Sequence, residues 1–165
     1  MRSVYHSFCA GAFAVIAVSA SAASTFSLTS LTPDVALKLA TAARESCNEQ
    51  GYQVAVAVVD RSGLLQAFVR DRAATPHTVE VAERKAWTAL SFRIPTSEME
   101  KATNQETTMM GIRHASNALM VGGGLPIQAA GSLLGGIGIS GAPGGDLDEA
   151  CAADGLLAIE DDLLF

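Results

Sequence analysis

The sequence is poor in basic residues and lacks several short motifs that mark common catalytic sites. Eleven Lys and Arg side chains stand against 17 Asp and Glu, for a formal net charge of −6. That balance argues against nucleic acid or an anionic membrane as the main partner. No G-K-[ST] and no G-x-S-x-G occurs, and there is no internal repeat. The sequence therefore supports neither a phosphate-binding P-loop nor a serine-hydrolase elbow.

Long apolar segments are also missing. The run Phe8–Val18 has 11 residues, which is too short to span a bilayer. Arg2 precedes it, and a small-residue stretch with the cleavage pattern Ala20-x-Ala22 follows it. This order predicts a secretory signal peptide over residues 1–22 and one domain over residues 23–165. An N-terminal anchor or buried helix is the alternative.

The predicted mature chain is expected to be secreted or periplasmic and not bound to a membrane. Removing residues 1–22 takes away only Arg2 among the charged side chains, which leaves 10 basic and 17 acidic groups and a net charge of −7. Two cysteines remain, Cys47 and Cys151. An even number in an oxidising compartment permits one disulfide, and two buried thiols are the alternative.

Hydrophobic periodicity predicts helices that alternate with pairs of strands. The predicted strands are Gln53–Asp60, Leu64–Arg70, Leu125–Ala129 and Leu133–Ser140. The predicted helices start at Pro33 with Thr32 as cap, at Thr75–Pro76, at Thr96, and at Leu147 with Asp146 as cap, the last running to about Asp161. Hairpins separated by helices indicate an α+β fold, in which helices cover an antiparallel sheet.

The glycines of GGIGISG match the dinucleotide-binding pattern G-x-G-x-x-G at Gly136, Gly138 and Gly141. That pattern needs a strand before it, a helix opening inside it and a second parallel strand after it. Here Ile137 and Ile139 alternate with the glycines as in a strand, and only one predicted helix follows. We therefore interpret the glycines as sites of close backbone approach or of helix packing on the sheet.

Four blocks of sequence together resemble the GlcG/HbpS-like family, which includes the C-terminal domain of PduO-type proteins. The blocks are VAVAVVDRSG, the stretch from Arg70 to Ala89 with PHT and ERKAWTA, GGGLPI, and GGIGISGAPGGDLDEA. The resemblance covers about residues 31–159. It implies a profilin-like antiparallel sheet of about five strands with helices packed on it. It also implies haem binding and self-association, from dimers to octamers.

His77 is one haem ligand that the resemblance would allow. Haem iron takes an axial His, Met, Cys or Tyr. His77 stands at the predicted start of a helix, where an exposed imidazole could reach a flat ligand. Arg70 and Arg72 precede it and could pair with the haem propionates. The alternative is a solvated or capping histidine.

His114 is the other candidate. It lies in the segment MMGIRH, where Met110 could form an adaptable apolar wall and Arg113 could pair with a propionate. Simple packing is the alternative for the methionines. Tyr52 is a more remote axial candidate.

Glu80 and Glu83 form an E-x-x-E pair on one predicted helix face, with His77 one turn before them. Two carboxylates at this spacing could chelate an iron ion, alone or with the histidine. A solvated helix face near a helix N-terminus is the alternative reading of the same residues.

The sequence and the resemblance together predict an exported haem-binding protein that acts in haem handling, sensing or uptake. The alternative is an enzyme or accessory protein of the GlcG type that acts on an organic acid or a diol. No set of nucleophile and base is apparent, so no catalytic residue is assigned and a binding protein is favoured.

Overall fold

The computed structural model describes residues 24–104 and 107–163. The predicted signal peptide, residues 1–22, lies outside the described residues. The helices are α1 Pro33–Glu49, α2 His77–Phe92, α3 Thr96–Ala102 and α4 Gly145–Ala158, with 3₁₀ turns at Met110–His114 and Glu160–Leu163. The strands are β1 Ala55–Asp60, β2 Leu65–Arg70, β3 Gly124–Ala129 and β4 Ser132–Ser140. No helix in either described range is long and apolar enough to cross a membrane.

The four strands form one antiparallel sheet in the order β2-β1-β4-β3. The predicted α+β fold is therefore confirmed. The four strands are those that the alternation predicted, one fewer within the described residues than the five that the resemblance implied. In the β3–β4 hairpin, Ala130 and Gly131 both have positive φ, 47° and 75°. A two-residue turn of this kind suits the twist of a hairpin.

The sheet carries helices on both faces, and the alternation of β1 shows how the faces differ. Val54, Val56 and Val58 face the larger core, which is filled by α1 and α4. Ala55 and Ala57 face a smaller core that is closed by α2. The alanines of β1 on this face let the helix lie close to the strands, beside larger side chains such as Val59 and Phe68.

The glycines of β4 belong to the same narrow face. Gly138 pairs with Ala57 on one side and with Gly124 on the other, so three small residues lie in one row across the sheet. A Cβ atom at Gly138 would run into the backbone of α2, at the carbonyl oxygen of Ala82 and the amide nitrogen of Ala86. Ile137 and Ile139 point to the opposite core. Gly136 and Gly138 thus serve helix packing, whereas a Cβ at Gly141 would meet the backbone of Gln53 and Val54, so both predicted roles of the glycines are found.

Helices α1 and α4 are joined by a disulfide between Cys47 and Cys151. The two Cα atoms are 5.4 Å apart although the residues are 104 positions apart in sequence. Both side chains are fully buried in the larger core. Of the two predicted alternatives, the structure therefore supports the disulfide and not two buried thiols.

The helix caps agree with the sequence at α1 and differ at α4. Thr32 Oγ1 accepts a hydrogen bond from the Val35 amide, as predicted. The prediction that Asp146 caps the last helix is wrong: Gly144 is the cap residue and Asp146 lies inside the first turn. The helix also ends at Ala158, short of Asp161. Asp146 still suits its place, because a carboxylate in the first turn is favoured by the helix dipole.

Candidate functional site

The described side chains that could ligate haem iron differ in their accessibility to solvent. Cys47 and Cys151 are consumed by the disulfide. Met99 and Met120 are buried in a small core beneath α3. Tyr52 is half-buried against the larger core. The accessible candidates within the described residues are His77, His114, Met109 and Met110.

The 3₁₀ turn Met110–His114 brings two of these side chains together. Met110, Arg113 and His114 line a surface cavity of about 350 Å³ with Asn104. Met109, Met110 and Ile112 are 48, 42 and 36% exposed, so the turn presents apolar side chains to solvent. His114 is exposed, and its imidazole has no hydrogen-bond partner among the described residues. We call this turn, with Met109, the Met110–His114 surface.

Arg113 fastens the Met110–His114 surface to α3. Its Nε donates to the carbonyl oxygen of Thr103 at 2.5 Å, and its Nη2 donates to that of Glu100 at 2.9 Å. These bonds cap the C-terminal carbonyls of α3, a place that favours a cation. The Nε and Nη2 groups of the guanidinium are therefore engaged in holding the turn. Its pairing with a propionate stays a prediction.

His77 is the first residue of α2 and is exposed, as predicted. Its Nδ1 lies 3.3 Å from Thr75 Oγ1. Arg70 Nη1 donates to the carbonyl oxygen of Ala74 at 2.6 Å, so this side chain closes the loop before the helix. Arg72 is exposed and pairs with no described residue. The structure thus places these three predicted residues at one end of α2.

Glu80 and Glu83 have different surroundings in the structure. Glu80 is exposed and forms an ion pair with Arg84 at 3.1 Å. Glu83 is half-buried and lines a separate cleft beside Trp87. In the two described ranges, no group of three or more His, Cys, Asp and Glu side chains could hold a metal ion. An iron ion held by His77, Glu80 and Glu83 therefore stays a prediction that this structure does not strengthen.

A buried ion pair joins two of the sequence blocks that carry the family resemblance, ERKAWTA and GGDLDEA. Lys85 of α2 and Asp148 of α4 are 3 and 4% exposed, and Lys85 Nζ lies 2.8 Å from Asp148 Oδ2. The ammonium also donates to the carbonyl oxygen of Ile139, and Asp148 Oδ1 accepts from the Ala142 amide. Burial raises the pKa of the Asp148 carboxyl above its ordinary value, and the Lys85 charge offsets part of that rise.

The glycine loop before β3 passes directly over this ion pair. Gly123 has a φ of +115°, and a Cβ there would collide with Lys85 Nζ and Asp148 Cβ. The amide of Gly122 donates to Glu100 Oε2, and the amide of Gly124 donates to Thr96 Oγ1. A side chain at Gly123 is thus excluded both by conformation and by space.

Comparison with known proteins places the chain in a family. Residues 31–157 match the family model of the HbpS-like haem-degrading proteins. The chain belongs to the HbpS-like family.

Two solved structures are similar to this chain over nearly their own whole length. HbpS of Streptomyces reticuli, as a double mutant with two glutamates three positions apart changed to aspartate, has 38% identity and a TM-score of 0.79. It covers 88% of this chain and 98% of its own.

The second solved structure is the PduOC–haem complex, with 28% identity and a TM-score of 0.74. The match covers 79% of this chain and 96% of that one. In the curated proteins, the corrinoid adenosyltransferase PduO of Citrobacter freundii is 32% identical over 106 residues, which is 63% of this chain. The chain spans about a third of the length of this relative, since the match covers 32% of it.

Reasoning from the sequence missed Lys85 and Asp148, the two charged side chains that the structure buries together. Each lies in a block that carries the likeness to the HbpS-like family, ERKAWTA and GGDLDEA. A signal was present, because lysine stands among alanines on the apolar side of α2. Its partner is 63 residues away, however, so no local pattern could identify it.

Proposed function

We propose that this HbpS-like chain binds haem at the Met110–His114 surface. The observation that carries the proposal is the unpartnered, exposed imidazole of His114, which shares one cavity with the Met110 thioether. Imidazole and thioether are both axial ligands of haem iron. The likeness to HbpS and to the PduOC–haem complex supports haem as the ligand.

The surroundings of His114 fit a flat apolar group. Met109 and Ile112 expose large apolar side chains next to the cavity, where a porphyrin ring could cover them. Methionine is flexible and adapts to an irregular ligand surface. Arg113 holds the turn to α3, which keeps His114 in place before the ligand arrives. Bound haem would supply a redox-active iron at this surface.

A haemin titration followed by absorbance tests the proposal. We expect the purified chain to develop a Soret band that saturates near one haemin per chain. In the His114→Ala variant the band should be lost or shifted, with an affinity at least about tenfold weaker, because the iron loses its axial nitrogen.

His77→Ala is the matched control, since it removes the other exposed imidazole of the described residues. It should leave both the band and the affinity unchanged. Loss of the band in His77→Ala but not in His114→Ala would show that haem binds at the start of α2 instead. An unchanged spectrum on adding stoichiometric haemin to the parent chain would refute haem binding altogether.

We propose that the chain is exported. The signal-like pattern of residues 1–22 supports this, and so does the disulfide between Cys47 and Cys151. Disulfides persist in oxidising compartments and are rare in the cytosol. The excess of acidic over basic residues also suits a protein that is released into solution.

Self-association is proposed as well, at the groove between edge strand β3 and the end of α4. This groove has a volume of about 660 Å³ and includes Leu125, Pro126, Leu156 and Leu157 in its lining. Leu157 is 67% exposed. An apolar groove next to an unpaired strand edge is typical of surfaces that contact another chain.

Native mass spectrometry of the expressed full-length product checks export and self-association together. In the extracytoplasmic fraction we expect a chain that begins at Ala23 and is two hydrogen masses lighter than its reduced form. Under native conditions its mass should be a multiple of the single chain, from dimer to octamer. An uncleaved chain confined to the cytoplasm, or a monomeric mass, would contradict the respective proposal.

A further inference from the structure

A second cleft shares no lining residue with the cavity of the Met110–His114 surface. It has a volume of about 160 Å³ and is formed by α2, the β1–β2 turn and the loop before β3. Its lining includes Glu83, Arg84, Trp87 and Asn117. Pockets for drug-sized ligands are about 300–1,000 Å³, so this cleft suits a molecule of only a few heavy atoms.

The walls of the cleft are held in place by the fold. Gly63 has a φ of +81° in the β1–β2 turn, and a Cβ there would lie 3.2 Å from the Trp87 indole. The turn and the ring therefore lie directly against each other. Arg84 Nη2 donates to the carbonyl oxygen of Ala118 at 2.8 Å, which keeps the neighbouring Asn117 beside α2. Asn117 itself has a φ of +67°.

Three polar groups that line the cleft have no partner within the described residues. They are the Glu83 carboxylate, the Trp87 indole N–H and the Asn117 amide. Arg84 also lines the cleft, and its Nη1 forms an ion pair with Oε1 of Glu80, which lies outside the lining, at 3.1 Å. One negative charge is thus left over in the cleft, on Glu83. A carboxylate next to an indole ring is a combination that attracts an organic cation.

We propose that this cleft binds a small primary ammonium compound. Glu83 and the Asn117 side-chain oxygen would accept its N–H groups, and Trp87 would contact its carbon atoms. The proposal does not depend on haem binding, because it involves neither His114 nor His77. A divalent metal ion suits the cleft less well, since Glu83 is the single carboxylate in its lining.

The sequence offers a specific probe, because Trp87 is the only tryptophan in the chain. The indole N–H signal in a ¹H–¹⁵N spectrum therefore reports on this cleft alone. We expect ethylammonium and ethanolamine to displace that signal saturably, at about millimolar concentrations because the ligands are so small. Ethanol, acetate and tetramethylammonium should leave the indole signal in place. Ethanol and acetate lack the positive charge, and tetramethylammonium lacks the N–H donors.

Glu83→Gln preserves the shape of the side chain and removes its charge. It should weaken ethylammonium binding by about tenfold or more, since a charge-assisted hydrogen bond is lost. Glu98→Gln is the control, because Glu98 is exposed on α3 and its substitution changes the net charge by the same amount. Both variants should retain the melting temperature of the parent. An unmoved indole signal at about 50 mM ethylammonium, equal binding by Glu83→Gln, or tighter binding of Mn²⁺ would each overturn the proposal.

Discussion

Gly138→Ala should destabilise the protein by about 3 kcal/mol, the upper end of the usual cost of overpacking. The added methyl group would overlap the Ala82 carbonyl and the Ala86 amide, both of which belong to the backbone of α2. A helix backbone cannot move aside as a flexible side chain can, so α2 would have to separate from the sheet. The loss should appear as a lower midpoint in urea denaturation, with the slope little changed.

Gly111→Ala is the matched control for this substitution. Gly111 also gains one methyl group, but nothing lies within 4 Å of the position that its Cβ would take. Its effect should stay within about 0.5 kcal/mol. Equal midpoints for the two variants would show that α2 does not pack closely on Gly138.

Lys85→Met should cost about 3–5 kcal/mol at neutral pH, because it leaves the buried carboxylate of Asp148 without its counter-charge. Lys38→Met is the control on an exposed pair. Lys38 Nζ lies 2.6 Å from Asp162, but its side chain is 57% exposed. An exposed pair contributes at most about 1 kcal/mol. Thermal unfolding of the two variants measures the contrast.

The cost of Lys85→Met should also depend on pH. Burial already raises the pKa of Asp148, and removing the ammonium takes away the largest opposing influence, so the pKa rises further. A carboxyl with a raised pKa binds its proton more tightly in the folded state. Its stabilising contribution is therefore present below the unfolded pKa and is lost as pH rises through the folded pKa.

The deficit of Lys85→Met relative to the parent should accordingly grow between about pH 4 and pH 8. The double variant Lys85→Met/Asp148→Leu should recover part of the loss, since no charge is then left buried. A deficit that is equal at both pH values, or a double variant that costs the sum of the single changes, would count against a coupled buried pair.

Much of the fold could be predicted because it depends on neighbouring residues. The alternation of Val54, Val56 and Val58 with alanines indicates a strand with two unlike faces, and the structure confirms both faces. The alternation of Gly138 with Ile137 and Ile139 likewise indicates that β4 has one narrow face and one apolar face. The Asp146 cap is a local prediction that fails, because α4 already begins at Gly145 with Gly144 as its cap residue.

The candidate sites were less predictable than the strands. Both His77 and His114 stand in plausible sequence contexts, and only the folded structure shows that His114 shares a cavity with Met110. Glu80 and Glu83 look alike as an E-x-x-E pair. The structure separates them, since Glu80 pairs with Arg84 while Glu83 turns into the Trp87 cleft.

The sequence by itself determined which segments are strands and helices, which faces are apolar, and the likeness to the HbpS-like family. These properties follow from side chains only a few positions apart. The tertiary structure alone decided that Cys47 meets Cys151 and that Lys85 meets Asp148, across 104 and 63 residues. Such pairings depend on how whole helices pack on the sheet, which no local pattern records.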